Sequence, residues 1–502
     1  VDVKLGEERI LSVDDHFLER FFTPRSVAVV GATNNPFKIN YCLVQNLVRL
    51  NYQGKIYPVN YREKEIAGIK AFPRLTDIPG DIDLVVISVP ATKTTDIVKE
   101  CDTLGVKNVV IVTGGFSEGG EQGKKLHREI ASFIKKKGIR VIGPNTLGPI
   151  NTSNNFSISF NPIRKMRRGG ISFAFQSGFY EPKINWLFSH LGLSKLIDLG
   201  NKMDISEVDA LEYFLRDPDT KVIAMHIETL RGDGRRFFDL VRKGAVKKPI
   251  IILKSGKTPE GAIAAASHTG TIAQENDIIF DSLIKQTAAV RAHNWEEFFD
   301  LAKAFDCLPA PGGRRLAIMT LSGGEGVMAT DACVMNGLEM ARLGGQTYNR
   351  LKAIFPPWEI PVNPLDGGAC LEFHLSDVVT VLEAMQAIPE DEHVDCVLMQ
   401  MPPEFFRQNS EGVNSFAQQG ELLRKQCAQA FLSIKERGKP FVLWRTSMSR
   451  NEDEWIEELE SHCLPVFPSS ERAIKALAAL YSYRVFLENE GWKEASNDRS
   501  TT

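Results

Sequence analysis

Nine residues, Ala264-Ala265-Ala266-Ser267-His268-Thr269-Gly270-Thr271-Ile272, set a single imidazole among small side chains and a glycine. That neighbourhood leaves room beside the ring for a bulky anion, and a phosphoryl group fits it. The run before it, Pro249-Ile250-Ile251-Ile252-Leu253-Lys254-Ser255-Gly256-Lys257, reads as a buried parallel strand leaving its sheet into a loop. His268 is therefore expected near the carboxyl ends of strands, where open α/β sheets place ligands. A helix cap or a satisfied core histidine is the competing reading.

The elements that must position this loop fall into three α/β blocks. The first has strands at Ser26–Gly31, Lys55–Asn60, Asp83–Pro90, Asn108–Gly115 and Arg140–Asn145, with helical period over Thr94–Leu104 and Gly120–Lys137. Such βαβαβ alternation predicts a parallel sheet, and a glycine or proline after most strands marks its ligand edge. The second block, from about Gly170 to Phe305, has strands at Ile171–Phe175, Lys195–Leu199, Val222–Ile227 and Ile250–Leu253. Leu308–Gly313 reads as a linker. The third has strands at Arg315–Leu321, Val394–Gln400, Pro440–Trp444 and Pro465–Phe467, closed by an amphipathic helix over Ser470–Leu487, with a polar tail frayed after Trp492. Blocks two and three each open with a strand, then Ser-Gly, then a helix: Gln176-Ser177-Gly178 and Ser322-Gly323-Gly324. A serine cap followed by glycine offers two helix N-termini to an anion, or two ordinary caps.

At 502 residues, 43% hydrophobic and 25% charged, the chain suits about three soluble domains. A net charge of −3 with dispersed lysine and arginine argues against a nucleic-acid partner, and Arg164–Arg168 reads as a solvated loop. The eight cysteines lack CxxC pairing, so reduced core thiols are expected, with neither a disulfide framework nor a zinc site, and no metal ligands are assigned. No apolar run is long enough to span a bilayer, and the charged N-terminus lacks a signal-like core, so a cytoplasmic protein is expected.

In the first block, Gly31-Ala32-Thr33-Asn34-Asn35-Pro36 lacks the later glycines of GxGxxG, and the second strand ends at Asn60 instead of an acidic residue. A nicotinamide-dependent dehydrogenase is thereby disfavoured. A nucleotide-type pocket remains, formed by the first turn, Ser88-Val89-Pro90-Ala91 and Thr113-Gly114-Gly115-Phe116. Lys38, Arg62 and Lys64 could meet phosphate charge, or be plain surface residues.

Val27–Gly31, Val59-Asn60, Val89-Pro90-Ala91, Gly143-Pro144-Asn145-Thr146-Leu147-Gly148, Gln176-Ser177-Gly178, Gly200-Asn201-Lys202-Met203-Asp204, Ser267-His268-Thr269-Gly270, Ser322-Gly323-Gly324 and Asn363-Pro364-Leu365-Asp366 occur in one order. In that order the chain resembles the NDP-forming acyl-CoA synthetases of the succinyl-CoA synthetase superfamily, specifically the α-subunit of an ADP-forming acetyl-CoA synthetase, over roughly residues 18 to 485. The resemblance implies an α/β protein with a Rossmann-like CoA-binding domain (18–149), a ligase domain with the phosphohistidine loop (150–307) and a second flavodoxin-like ligase domain (308–487), flanked by an extension (1–17) and a polar tail (488–502). It implies interconversion of acyl-CoA, ADP and phosphate with carboxylic acid, CoA and ATP through an acyl phosphate and phosphorylated His268. Glu228 is then the carboxylate that orients the imidazole; Ser177, Gly178, Ser322, Gly323 and Gly324 hold phosphate; Gly31, Ala32, Thr33, Lys38, Asn60, Val89, Pro90, Ala91, Gly114, Gly115 and Asn145 bind coenzyme A. His226 keeps its reading as a core histidine.

Residues 1–502 contain no recognisable ATP-grasp region and no Walker A sequence. The resemblance therefore implies that ATP or ADP and Mg²⁺ are handled by an ATP-grasp β-subunit in an α₂β₂ assembly, with a small carboxylic acid or acyl-CoA as the other ligand. The chain departs from the family pattern at Gly178-Phe179-Tyr180-Glu181-Pro182, where small residues are usual, and at Thr146, where cysteine is frequent. Rings, an anion and a proline at a helix start could narrow the phosphate site or move the helix. The alternative function is a non-catalytic CoA- or acyl-CoA-binding regulatory protein with a drifted phosphate site.

Overall fold

The computed structural model describes residues 13–269, 277–374, 378–402, 414–445 and 450–499, and the side chain of His268 lies outside what it describes. The chain forms two compact units, Val1–His293 and Asn294–Thr502.

In the first unit, β1 (Ser26–Val30) and β2 (Lys55–Val59) precede a small hairpin, β3 (Glu65–Ile66) with β4 (Ile69–Lys70), then β5 (Leu84–Ile87), β6 (Asn108–Ile111) and β7 (Arg140–Ile142). Five of these form a wholly parallel sheet in the order β2-β1-β5-β6-β7. Every residue of β1, β5 and β6 is buried, as continuous Val/Ile runs covered on both faces require. The helix Gly120–Lys137 carries Lys135, Lys136 and Lys137 in its last turn, where the dipole favours cations, and stops at left-handed Gly138.

A second sheet follows: β8 (Pro149–Asn151), β9 (Phe156–Ser157), β10 (Arg168–Phe175), β11 (Leu193–Asp198), β12 (Val222–Ile227), β13 (Ile250–Lys254) and β14 (Val290–Ala292), in the order β14-β13-β12-β10-β11-β8-β9. It is parallel from β14 to β11 and antiparallel through β8 and β9. β10 to β13 fall on the expected strands of the middle block, whereas β8, β9 and β14 are too short to show a period. The helix Glu207–Arg216 starts on a capping box of Ser206 and Asp209, and Asp233 caps Gly234–Gly244.

The second unit begins with the helix Trp295–Cys307, which the sequence reading groups with the middle block. Here Arg472 reaches Asp300 at 2.5 Å and Lys303 reaches Glu460 at 2.6 Å, both partners lying in the same unit. Its sheet comprises β15 (Arg315–Thr320), β16 (Glu339–Met340), β17 (Leu365–Asp366), β18 (Cys396–Gln400), β19 (Phe441–Trp444) and β20 (Val466–Phe467), parallel in the order β16-β15-β18-β19-β20 with β17 also on β15. The closing helix runs Ser470–Arg499, past both Leu487 and the expected fraying point at Trp492. An i,i+4 pair, Arg484 to Glu488 at 2.7 Å, carries it across the expected end.

One interior ion pair tests the packing of the second sheet. Lys195 Nζ meets Asp217 Oδ2 at 2.8 Å with both side chains about 4% exposed, and Asp217 also accepts from Thr220. Lys195→Met leaves that carboxylate buried without its cation, a loss of about 3–5 kcal/mol. Urea unfolding of the two proteins measures it, and a difference below about 1 kcal/mol would show that water reaches Asp217.

Candidate active site

The carboxyl edge of the first sheet brings the expected CoA-binding turns into contact with one another. Gly31 has φ +90°, and a β-carbon there would stand 2.4 Å from Ser88 O and 3.0 Å from Val89 Cγ1, so only glycine lets the first and third turns meet. Next along the edge, a β-carbon on Gly115 would lie 3.4 Å from that of Ala91, and one on Gly114 would lie 3.3 Å from Asn145 Oδ1. Asn60 donates to Ala32 O at 2.8 Å, and Pro90 directly precedes the helix Ala91–Thr103. Lys38, Arg62 and Lys64 are exposed, with Arg62 over the Tyr61 ring.

Two carboxylates hold these loops, and the sequence reading assigned neither. Glu63 accepts from Thr33 Oγ1 at 2.8 Å and Asn34 N at 2.9 Å, so Thr33 is buried and already engaged. Glu118 accepts from Gly115 N at 2.7 Å and from Asn201 Nδ2 at 2.6 Å, tying the first sheet to the Gly200–Asp204 loop. Glu63 stands only three residues past Asn60, but nothing in its spacing shows that it turns back onto the first turn. Gly200 presses onto the other sheet as well: at φ +54°, its β-carbon would be 2.4 Å from Pro144 O.

Thr146 donates to Asp198 O, while the Asp198 carboxylate accepts from Leu147 N at 2.9 Å and Gly200 N at 3.1 Å. Burial pushes Asp198 up to about 7, against the pull of those two amides. A hydroxyl at residue 146 therefore has a defined structural use.

Glu228 lies just past β12, buried, in a loop held from several sides. Gln176 Oε1 accepts from Glu228 N at 2.8 Å, Thr229 N at 3.0 Å and Lys202 Nζ at 3.0 Å. Lys202 also donates to Glu207 at 2.9 Å, and Glu207 accepts from Arg231 N and Gly232 N, each at 2.9 Å. Lys254, ending β13, donates to Glu228 O at 2.7 Å. His226 is a buried histidine with Nε2 2.8 Å from Ser255 Oγ and its ring against the edge of Phe179.

The helix expected after Ser177 is moved, one of the two outcomes that Phe179–Pro182 raise. After Ser177 comes a 3₁₀ segment, Gly178–Lys183, and the α-helix begins only at Ile184; Ser177 makes no capping bond. Pro182 and the packing of its neighbours account for the shift. Tyr180 stacks on Phe175 at 4.3 Å, and Glu181 turns inward to accept from Ser159 Oγ at 2.5 Å, Phe160 N at 2.8 Å and Asn161 N at 3.0 Å. The feared extra anion is thus absorbed by the core, where burial raises its pKa. In the second unit the helix Gly323–Met335 does start after Ser322, again without a side-chain cap. Gln400 Oε1 accepts from Leu321 N at 2.8 Å, and a β-carbon on Gly323 would lie 3.3 Å from Asp366 Oδ2.

Two family models match the chain: a CoA binding domain over residues 25–152 and a succinyl-CoA ligase like flavodoxin domain over residues 168–305. The chain is 35% identical to the α-subunit of acetate–CoA ligase [ADP-forming] I of Pyrococcus furiosus, over 93% of this chain and 97% of that protein. It is 32% identical to acetate–CoA ligase [ADP-forming] II of Archaeoglobus fulgidus, over 96% of this chain and 69% of that longer protein. A solved structure of a dinucleotide forming acetyl-coenzyme A synthetase 1 from Candidatus Korarchaeum cryptofilum, in complex with phosphate and ADP, superposes with a TM-score of 0.78 at 30% identity, covering 94% of this chain and 97% of that one.

The loop after Glu228 carries a pH-sensitive neighbour. Arg231 donates to Asn201 O at 2.7 Å and lies 3.4 Å from His127 Nε2. Burial, then the Arg231 charge, holds His127 down at about 4. With the folded value below the unfolded one, its contribution to stability is complete above about pH 6.5 and is lost as pH falls towards 4. His127→Gln should flatten the fall in urea midpoint across that window; an unchanged slope would place the titration elsewhere.

Proposed function

The chain belongs to the NDP-forming acyl-CoA synthetases, ADP-forming acid–thiol ligases, and from that premise we propose that it binds coenzyme A on the edge of the first sheet and carries a phosphoryl group on His268. In the direction that yields ATP, phosphate displaces the thiolate of CoA from the acyl carbon, leaving an acyl phosphate. The His268 nitrogen then attacks phosphorus, the carboxylate departs, and the phosphohistidine passes its phosphoryl group to ADP. A neutral imidazole serves as acceptor when its other nitrogen donates to a carboxylate, the role assigned to Glu228.

The observation that carries this reading is the pairing of β12 with β13. Ile227 stands beside Lys254, so Glu228 and the segment leading to the helix Pro259–Thr269 leave neighbouring strand ends, and His268 belongs to the last turn of that helix. Gly31, Ala32, Thr33, Lys38, Asn60, Val89, Pro90, Ala91, Gly114, Gly115 and Asn145 are assigned to CoA. The gathering of the Gly31, Val89–Ala91 and Gly114–Gly115 turns along one edge supports a ligand lying there. Ser177, Gly178, Ser322, Gly323 and Gly324 are assigned to the phosphoryl group, whose charge helix-start N–H groups would offset. The domain limits adopted are 18–149, 150–307 and 308–487.

The nucleotide and its Mg²⁺ are assigned to an ATP-grasp subunit in an α₂β₂ assembly, supported by the near-complete coverage of an α-subunit relative. The regulatory alternative draws on the displaced helix start at Ile184. Incubation with the ATP-grasp subunit, acyl-CoA and labelled phosphate separates the two readings. We expect acid-labile, base-stable label on His268, absent in His268→Ala. Glu228→Gln should slow labelling by roughly 10²–10⁴ while leaving CoA affinity unchanged. An unlabelled wild type that still binds CoA selects the regulatory reading. Calorimetry provides a separate check on the first domain: CoA should bind and NAD should not, and tighter NAD binding would overturn its assignment.

A further inference from the structure

The last turn of the helix Trp295–Cys307 meets the corner between the helix Arg450–Ser461 and β20. Along one stripe of the first helix, Asp300 takes Arg472, Lys303 takes Glu460 at 2.6 Å and Val466 O at 2.7 Å, and Cys307 faces Cys463. Cys463 sits at φ +54°, a backbone conformation that turns the chain sharply between helix and strand. Asp306 joins the pair: its carboxylate oxygen and the two sulfur atoms all lie within 4.8 Å of one another, each residue half-buried. Sequence spacing gives no sign of this cluster, because 307 and 463 are far apart in the chain and neither belongs to a CxxC motif.

We propose that Asp306, Cys307 and Cys463 bind one thiophilic divalent cation of the Zn²⁺ class, with water as fourth ligand. Two sulfurs and one carboxylate are a donor set of the type zinc accepts, with bonds of about 2.3 Å to sulfur and about 2.0–2.2 Å to oxygen. Donors around such an ion stand about 3.5–3.8 Å apart, so the cluster closes on it with a shift of about 1 Å. The Cys307 helix ends at the site, and its C-terminal partial charge favours a cation. Lys303, one turn earlier, is already neutralised by Glu460. On binding, the ion replaces both thiol protons, which pass to the buffer, and two metal–sulfur bonds form without any change of oxidation state.

A carboxylate beside two thiols disfavours a disulfide-exchanging pair, because thiolate is the attacking species and negative charge opposes its formation. The same charge strengthens attraction for a divalent ion. The site would clamp the Trp295–Cys307 helix to the β20 corner, independently of acyl transfer.

The whole chain, stripped with chelator and kept reduced by a phosphine, is titrated with Co²⁺. One equivalent should bind with thiolate-to-cobalt charge-transfer absorption, bleached when Zn²⁺ displaces it. Cys307→Ser and Cys463→Ser should each lose the band while keeping the metal-free circular dichroism of the wild type, and Asp306→Asn should weaken binding by about tenfold or more. Should either serine variant misfold, the wild-type stoichiometry and Asp306→Asn still decide. No charge-transfer band in the wild type overturns the proposal. So does a band that survives in both serine variants, or a Cys307–Cys463 disulfide found by mass analysis in freshly isolated protein.

Discussion

Lys202 places an ammonium where only 2% of its side chain reaches solvent, so each of its donors must find an acceptor inside the protein. Gln176, Glu207 and Thr229 supply them, from the end of β10, the start of the Glu207–Arg216 helix and the loop after β12. Removing Glu207 would strand a buried charge, which is far costlier than the unsatisfied donor left by losing Gln176. The acceptors are themselves shared: Gln176 also receives Glu228 N and Thr229 N, while Glu207 receives Arg231 N and Gly232 N. A single cation therefore fixes the backbone that presents Glu228. Its own loop is pinned to the first sheet by Gly200 against Pro144 and by Asn201 on Glu118.

Strand ends were legible in the sequence because a glycine or proline after a Val/Ile run has few alternatives. The turns at Gly31, Val89–Ala91 and Gly114–Gly115 thus fall along one edge, as expected. What positions them was not legible. Glu63, Glu118 and Gln176 act through side-chain contacts with backbone or side chains distant in sequence, and no periodicity records such contacts. The disturbance at Phe179–Pro182 could be read, since a proline five residues past the Ser177 cap lacks the N–H that a helix started at Gly178 would need. The inward turn of Glu181 could not, because it depends on Ser159 and Asn161 lying opposite.

The two ligase-type blocks use the same device without close sequence repetition. Gln176 and Gln400 each end or follow a central strand and accept backbone N–H groups from the neighbouring strand's exit loop. They differ in what comes after their Ser-Gly: a 3₁₀ segment in one block and a full α-helix in the other. The hydrogen bonds of a 3₁₀ turn are less well aligned than those of an α-helix, so the two segments that follow Ser-Gly are not equivalent in geometry.

The hairpin of β8 and β9 has a consequence for how the protein can be divided. β8 covers the outer side of β11, pairing Pro149, Ile150 and Asn151 with Ile197, Leu196 and Lys195. Asn151 and Asn154 also donate to Phe22 O, from the segment that precedes β1. The covalent border between the first two α/β blocks is therefore not a seam in the packing. A fragment of the second block begun after Ser157 would lose the cover of β11 and leave a row of unsatisfied amides and carbonyls, a template for strand-to-strand self-association. Natural recombination or laboratory shuffling of the second block has to start it at or before about Pro149, keeping the hairpin on β11, or bring a replacement edge, to yield a soluble product.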